Sequence, residues 1–351
     1  MGTTDLANLS DKLMLTTVVL YIIAMVAYAA DLGFGRRRAA TTADAEAEAN
    51  TEANTEAKTK ANAEAKAGAK VLVGAGASAK ADDDAPAGAK PDEITAGSDE
   101  PARRQMEWGR LAILLNVVGW LAHGGMLTTR GMAADRWPWA NMYEFLTAIA
   151  FAAVTAYLVV LWRFKARFLG AFVSLAAVVA LGVANIWLYS SIGPVVPALN
   201  SYWIAIHVSA AIIATGAFTV GGASTLLYLF KARQEAKEAA GGSSALTHLP
   251  GADALDRLSL RVTMFAFPIW TAAIIMGAIW ADEAWGRYWG WDPKEIWSFV
   301  TWIVYAAYLH ARATAGWKGR KAAILSLIGF AALMFNFFGV NYLFSGLHSY
   351  A

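Results

Sequence analysis

The chain has 351 residues, of which 57% are hydrophobic, and a formal net charge of +2 at pH 7. It contains no cysteine, which excludes disulfide bonds, thiolate metal ligands and thiol redox chemistry within the chain. The small net charge says little about partners, and we expect no nucleic acid among them. Repeated apolar runs of about 20 residues are long enough to cross a bilayer, so the sequence predicts an all-α polytopic membrane protein in contact with lipid.

The N-terminal region contains one predicted span and a long linker. The apolar run at about 13–32 lacks a small-residue cleavage site and is followed by Arg36, Arg37 and Arg38, so we expect residues 1–35 to hold a retained transmembrane helix rather than a removed signal peptide. Residues 36–107 consist largely of Ala, Glu and Lys with almost nothing to bury. We predict a disordered cytoplasmic linker without chemistry of its own.

Seven further spans are predicted in residues 108–351, which makes about eight in total. Their approximate bounds are 108–128, 141–163, 168–188, 202–230, 261–282, 293–312 and 322–345. Lys and Arg concentrate in alternate connections, and such clusters mark the cytoplasmic side. The basic side carries Arg36, Arg37, Arg38, Arg103, Arg104, Arg110, Arg163, Lys165, Arg167, Lys231, Arg233, Arg257, Arg261, Arg312, Lys318, Arg320 and Lys321. This pattern predicts that both termini lie outside. We expect the membrane to be the plasma membrane.

A loop rich in aromatic residues lies on the predicted outer side, at residues 285–292. It contains Trp285, Trp289 and Trp291, with glycines between the rings. Tryptophan often anchors helices at membrane interfaces, which accounts for one or two of these rings. Because glycine lets other groups approach the backbone closely, flat rings spaced by glycine indicate a site for a large planar apolar ligand.

The residues at the end of this loop predict the start of the next helix. Asp292 suits the N-cap position, Pro293 the first helical position and Glu295 the third. We therefore expect a helix to begin at about Pro293, with the tryptophan cluster at its outer end.

Two of the five histidines are predicted to lie at the depth of this loop. His207 is about five residues inside its span, roughly 8 Å from the outer end, and His348 follows the last span. An ionisable residue in a span is a candidate for function, although a neutral histidine can instead hydrogen-bond to a neighbouring helix. Two imidazoles beside an indole platform match the axial ligands of a six-coordinate haem iron, so we predict that His207 and His348 form such a pair.

The other histidines lack this context. His310 is about 17 residues beyond Pro293, roughly 26 Å along its helix, near the cytoplasmic side. It either packs between helices or binds iron together with a ligand from another subunit. For His123 we favour a packing role, and for His248, in a cytoplasmic connection, we expect none.

The motif Trp285-Gly286-x-x-Trp289-x-Trp291-Asp292, flanked by His207 and His348, resembles the tryptophan-rich "WWD" signature of the haem-handling superfamily. An intramembrane histidine one helix later, here His310, narrows the resemblance to the CcsA/ResC branch of system II cytochrome c biogenesis, called CcsB in actinobacterial nomenclature. Two further stretches are similar to this branch: Pro138-x-x-Asn141-x-Tyr143-Glu144 and Val196-Pro197-Ala198-Leu199. The resemblance covers residues from about 108 to the end.

This resemblance implies a function and a set of site residues. Such proteins act with a ResB/Ccs1-type membrane subunit, as part of a cytochrome c synthase, and present haem b to apocytochrome c. The haem is then joined by thioether bonds to the cysteines of a Cys-x-x-Cys-His motif. His207 and His348 would be the outer ligands, above Trp285, Gly286, Trp289, Trp291 and Asp292. His310 would hold a second, intramembrane haem together with a histidine of the partner.

Three alternatives remain open from the residues. A bis-His electron-transfer cytochrome usually places its ligands on facing helices, whereas here an external loop lies between the ligand helices. A secondary transporter would use His310 or Glu144 for proton coupling, yet the sequence shows no inverted repeat. An ABC-transporter-linked haem-delivery protein shares the tryptophan motif. Arg287 or Lys294 would pair with haem propionates, or either would serve as an ordinary interfacial anchor.

Overall fold

A computed structural model describes residues 2–33, 100–193, 201–242 and 249–348 of the chain, with side chains from residue 108 onward in the second segment. Most of the predicted linker, the stretch Val196-Pro197-Ala198-Leu199 and His248 lie outside these residues. Residues Met1–Leu32 and Trp108–Ala351 belong to one compact unit, which contains every site described below.

The described residues are helical and form no strand, which confirms the predicted all-α polytopic class. The helices are α1 Thr3–Gly33, α2 Glu100–Ala134, α3 Met142–Phe164, α4 Leu169–Trp187, α5 Tyr202–Ala239, α6 Ala252–Trp285, α7 Pro293–Ala313 and α8 Gly319–Met334, followed by a π-helical turn at Phe335–Gly339 and a short α9 at Val340–Leu343.

Seven of these spans are long and apolar enough to cross a membrane, and α7 is the long helix left out. In α7, the 21 residues include Lys294, Glu295 and Arg312, which lower its mean hydropathy. It nevertheless lies between α6 and α8 in the chain and packs against both. About eight spans were predicted, and the described part of the chain has seven apolar helices of spanning length and one more polar helix, α7, packed among them.

Several helices extend beyond the spans predicted for them, α1 and α2 as well as α5 and α6. The fifth span was expected at 202–230, whereas α5 continues to Ala239, and the sixth was expected at 261–282, whereas α6 runs from Ala252 to Trp285. Apolar runs mark the part of a helix that suits lipid, while Ala, Glu, Lys and Gln continue the same helix beyond it because they are strong helix formers.

Close backbone contact joins α3 and α5 in the centre of the bundle. A Cβ atom at Gly216 would lie 2.6 Å from the backbone carbon of Ala152, so the two helices touch where no side chain intervenes. Small residues at such contacts are typical of membrane helix packing. Since α5 carries His207 near its first turns, this contact helps to position the start of α5 relative to α3.

Candidate functional site

The tryptophan loop is held by the first turn of α7. Asp292 is the N-cap and accepts a hydrogen bond from the backbone of Lys294 at 3.1 Å. Glu295 completes a capping box by accepting from the backbone of Asp292 at 3.0 Å, and it also accepts from Gly290 at 2.8 Å. The predicted helix start at Pro293 is confirmed. These bonds satisfy amides that would otherwise lack partners, and they fix the end of the loop.

Asp292 also binds the C-terminal segment that follows α9. Its second carboxylate oxygen accepts from the backbone of Leu347 at 2.7 Å, and the first accepts from Nδ1 of His348 at 2.9 Å. Burial of this carboxyl opposes its ionisation, but the hydrogen bonds from His348, Leu347 and Lys294 outweigh that effect and lower the pKa of Asp292 below its ordinary value. An ionised carboxylate can only accept, so Nδ1 of His348 carries the proton.

His207 has the same kind of support from a different element. Its Nδ1 donates to the backbone carbonyl of Ala273 on α6 at 2.8 Å. A carbonyl oxygen cannot donate, so this nitrogen also carries a proton, and the neutral ring keeps its lone pair on Nε2. A Cβ at Gly277 would lie 2.6 Å from the His207 ring, which shows how closely the imidazole rests on α6.

One buried indole contacts both of these imidazoles. Trp280 is 1% exposed and stacks on His207, with ring centroids 6.0 Å apart and planes 10° apart. The same indole meets His348 edge-on at 5.6 Å. Trp285 closes the group, 4.7 Å from Trp280 and 4.9 Å from His348. The structure therefore brings the two predicted histidines and one predicted tryptophan together around a residue that the motif does not include.

Trp280 was missed because it lies inside an apolar run, where a tryptophan is usually part of the core. Its position shortly before Trp285, on the helix that leads into the loop, was the available signal. The contact with His207 depends on how α5 and α6 pack, which the local pattern does not specify.

A cavity of about 160 Å³ lies at this end of the bundle. Its walls come from α3, α5, α6, α7, α9 and the tryptophan loop, and they include His207, Trp280, Trp289, Lys294 and His348. A larger groove of about 1270 Å³ runs along α2, α3, α5 and α6 and contains none of the predicted site residues. The smaller cavity is therefore the candidate functional site.

The structure does not bring every predicted residue to this cavity. Trp291 is 66% exposed, has a left-handed backbone with φ of 59°, and contacts Trp289 edge-on at 5.8 Å. Gly286 ends α6 in a left-handed conformation with φ of 69°, the usual role of glycine at this position. His310 is exposed near the far end of α7. His123 is buried in α2, where its Nδ1 lies 3.4 Å from the hydroxyl of Tyr21.

Comparison with known proteins assigns the chain to a family. Residues 139–348 match the family model described as "Cytochrome C assembly protein". The cytochrome c biogenesis protein CcsA of Gloeobacter violaceus is 34% identical over 285 residues, covering 67% of this chain and 84% of the relative. CcsA of Synechococcus elongatus is 36% identical over 272 residues, covering 66% and 84%.

The fold is also similar to a solved structure. The cytochrome c haem lyase CcmF aligns with a TM-score of 0.58 and 14% identity; the alignment covers 99% of this chain and 48% of CcmF, so the chain spans about half of that protein. At this identity the likeness concerns the fold alone. The sequence relatives and the family match carry the assignment: the chain belongs to the cytochrome c assembly protein family, among the CcsA proteins of cytochrome c biogenesis.

Proposed function

We propose that this protein binds haem b at the cavity lined by His207 and His348 and presents it for covalent attachment to apocytochrome c. A porphyrin is larger than this cavity, so part of it would lie outside the walls, toward the apocytochrome. The observation that carries the proposal is the pair of histidines on Trp280. Each Nδ1 is engaged by an oxygen acceptor, the carbonyl of Ala273 for His207 and the carboxylate of Asp292 for His348. Histidines that bind metals usually donate their other ring nitrogen in this way, which leaves Nε2 for the metal.

The residues of the cavity fit a porphyrin in their chemistry. Two imidazoles would ligate the iron, and the indoles of Trp280 and Trp289 supply apolar walls. Trp285 packs against His348 and restricts its rotation. Haem bound here supplies the iron that the imidazoles ligate and the vinyl groups to which cysteine thiols add. The protein's own contribution is to hold and orient its ligand and to limit contact with water.

Asp292 has a positioning role in this proposal. It caps α7, and it orders the C-terminal segment by accepting from Leu347 and His348. The acid that ends the tryptophan loop thereby sets the position of one proposed iron ligand. Trp291, which is exposed beside the cavity, is suited to contact the incoming apocytochrome rather than the porphyrin face.

A second haem, bound within the membrane, is proposed at His310. Its imidazole is exposed on α7 and is therefore open to a partner helix. A ResB/Ccs1-type membrane subunit would supply the opposing histidine. The distribution of Lys and Arg supports a plasma-membrane orientation in which the cavity faces outward and His310 lies toward the cytoplasm.

Purified wild-type protein tests the proposal directly. We expect it to retain haem with the absorption spectrum of a six-coordinate, low-spin iron. Purified together with its ResB/Ccs1-type subunit, it should yield covalent haem on an apocytochrome peptide that contains Cys-x-x-Cys-His. A peptide with Ser in place of both cysteines is the control and should receive none. Protein that takes up no haem, or whose spectrum is five-coordinate, would contradict the proposed ligand pair.

A glycine next to His207 gives a sharper test with a matched control. Gly277→Ala should displace the imidazole, because the new Cβ would lie 2.6 Å from its Cε1. We expect this overpacking to cost about 1–3 kcal/mol, visible as weaker haem binding in a titration. Gly182→Ala, on α4, adds a methyl group where nothing lies within 4 Å and should leave binding unchanged. Equal haem affinity in the two variants would mean that the position of His207 does not matter for the ligand.

A further inference from the structure

Lys294 brings a positive charge to the wall of the candidate cavity. It lies in the first turn of α7 and lines the cavity together with His207 and His348. Its ammonium donates to Oδ1 of Asn341 at 2.7 Å and lies 5.9 Å from the ring centre of Phe337. Asn341 in turn donates to the backbone carbonyl of Phe337 at 2.9 Å, so its amide is held in place. The lysine is thus positioned by a neutral amide.

The acidic residues closest in sequence to Lys294 have other partners. Asp292 accepts from His348 and from Leu347, and Glu295 accepts from Arg287 and from the backbone of the tryptophan loop. Within the described part of the chain, Lys294 forms no ion pair. A cation beside an apolar cavity is costly unless an anion compensates it. The carboxylate of Asp292 acts on the ammonium of Lys294 from beyond ion-pair distance, and its oxygens already bind His348 and Leu347. The position beside the ammonium is therefore open to an anion of the ligand.

Arg287, the other basic residue near the loop, does not have this environment. Its guanidinium pairs with Glu295 at 3.3 Å, and its side chain is 32% exposed. It lies 5.9 Å from the ring centre of Trp285 and is not part of the cavity wall. From the sequence alone the two residues are equivalent candidates, whereas in the structure Lys294 lines the cavity and is bonded to an amide, and Arg287 is paired with Glu295 outside the cavity wall.

We infer that the ammonium group of Lys294 binds a carboxylate of the ligand, which for haem is a propionate. This inference rests on the proposed function and adds the residue that recognises the polar edge of the porphyrin. The positive end of the α7 dipole reinforces the preference for an anion at this position. Because both propionates lie on one edge, holding that edge also sets the direction in which the vinyl groups point.

Haem and haem dimethyl ester, in which both propionates are neutral, separate charge recognition from iron ligation. We expect the full-length protein in lipid nanodiscs to bind haem about tenfold more tightly than the diester, the usual effect of one charged hydrogen bond. Lys294→Met should remove this preference while keeping the six-coordinate spectrum. Asn341→Asp should weaken the preference as well, because it provides Lys294 with an internal carboxylate while the lysine itself is retained. Lys12→Met, at an exposed site on α1, should behave as wild type.

Each outcome of this titration has a definite meaning. If Lys294→Met keeps the wild-type preference for haem over its diester, Lys294 does not bind a propionate and the inference is wrong, whatever Asn341→Asp shows. Loss of the preference in Lys294→Met supports the inference, and a weaker preference in Asn341→Asp supports it further. If the wild-type protein binds neither compound with a six-coordinate spectrum, the proposed function itself is wrong. The wild-type titration alone gives this result, so it is distinct from a failure of the inference about Lys294, which only the variants reveal.

Discussion

Alanine in place of either His207 or His348 is expected to abolish maturation of c-type cytochromes. Each variant removes one proposed axial ligand, so bound haem should become five-coordinate and dissociate more readily. The measurements are the absorption spectrum of the purified protein and the amount of covalent haem on a reporter cytochrome in cells. Added imidazole should partly restore the six-coordinate spectrum, because it fills the vacant ligand position. His248→Ala, in the connection between α5 and α6, is the matched histidine control and should be silent.

A weaker effect is expected when the support of one ligand is removed instead of the ligand itself. Asp292→Ala deletes the acceptor of the His348 Nδ1 proton and of the Leu347 amide. Loss of such a partner typically lowers metal affinity about 10–100-fold. Normal cytochrome maturation in both the His207 and His348 variants would remove the pair from the mechanism, whatever the result for Asp292.

The largest expected effect on stability comes from Glu144, which is fully buried at the start of α3. Its carboxylate accepts from Arg130 at 2.9 Å, from Arg136 at 2.7 Å and from the backbone of Ala140 at 2.9 Å. Arg130, itself 1% exposed, also donates to the carbonyl of Ser190 beyond the end of α4. These contacts connect α2, α3 and the chain after α4, so Glu144 has a bridging role at this end of the bundle.

Glu144→Ala should destabilise the protein by about 3–5 kcal/mol, because it leaves buried Arg130 without its carboxylate. Chemical unfolding in detergent measures this loss. Replacing Arg130 as well, in Glu144→Met with Arg130→Met, should recover part of the stability, since only Arg136, whose side chain is 15% exposed, is then left without the carboxylate. Glu238→Ala, exposed near the end of α5, is the control and should change stability little. If Glu144→Ala is as stable as Glu238→Ala, the buried pair of Glu144 and Arg130 contributes nothing to the stability of the protein.

Local sequence patterns predicted a large part of this fold. The run of apolar segments identified the helices, and the Asp-Pro-Lys-Glu stretch identified the start of α7 to the residue. These features depend on neighbours within a few positions, as capping and hydropathy do. Helix ends in polar sequence, such as the last turns of α5, were less well predicted because helix formers continue past the apolar span.

The candidate site was likewise predicted only in part from local sequence patterns. The histidines and the tryptophan loop were recognised from residue types and their spacing, and a resemblance to a known family connected them. Trp280 carried no such signal, because its role depends on contacts with His207 from α5 and His348 beyond α9. The pattern predicted that Asp292 caps α7, but it did not predict the hydrogen bond between Asp292 and His348.

The sequence by itself determined that this is a polytopic helical protein of the cytochrome c assembly family, where its helices lie, and which histidines are candidates at one end. Only the tertiary structure decided that Trp280 joins the two imidazoles, that Asp292 holds His348, and that Lys294 rather than Arg287 lines the cavity. The physical reason is distance along the chain. The bond from His207 to Ala273 joins residues 66 positions apart, and that from His348 to Asp292 joins residues 56 apart. Such contacts depend on how whole helices pack, which short-range patterns do not specify.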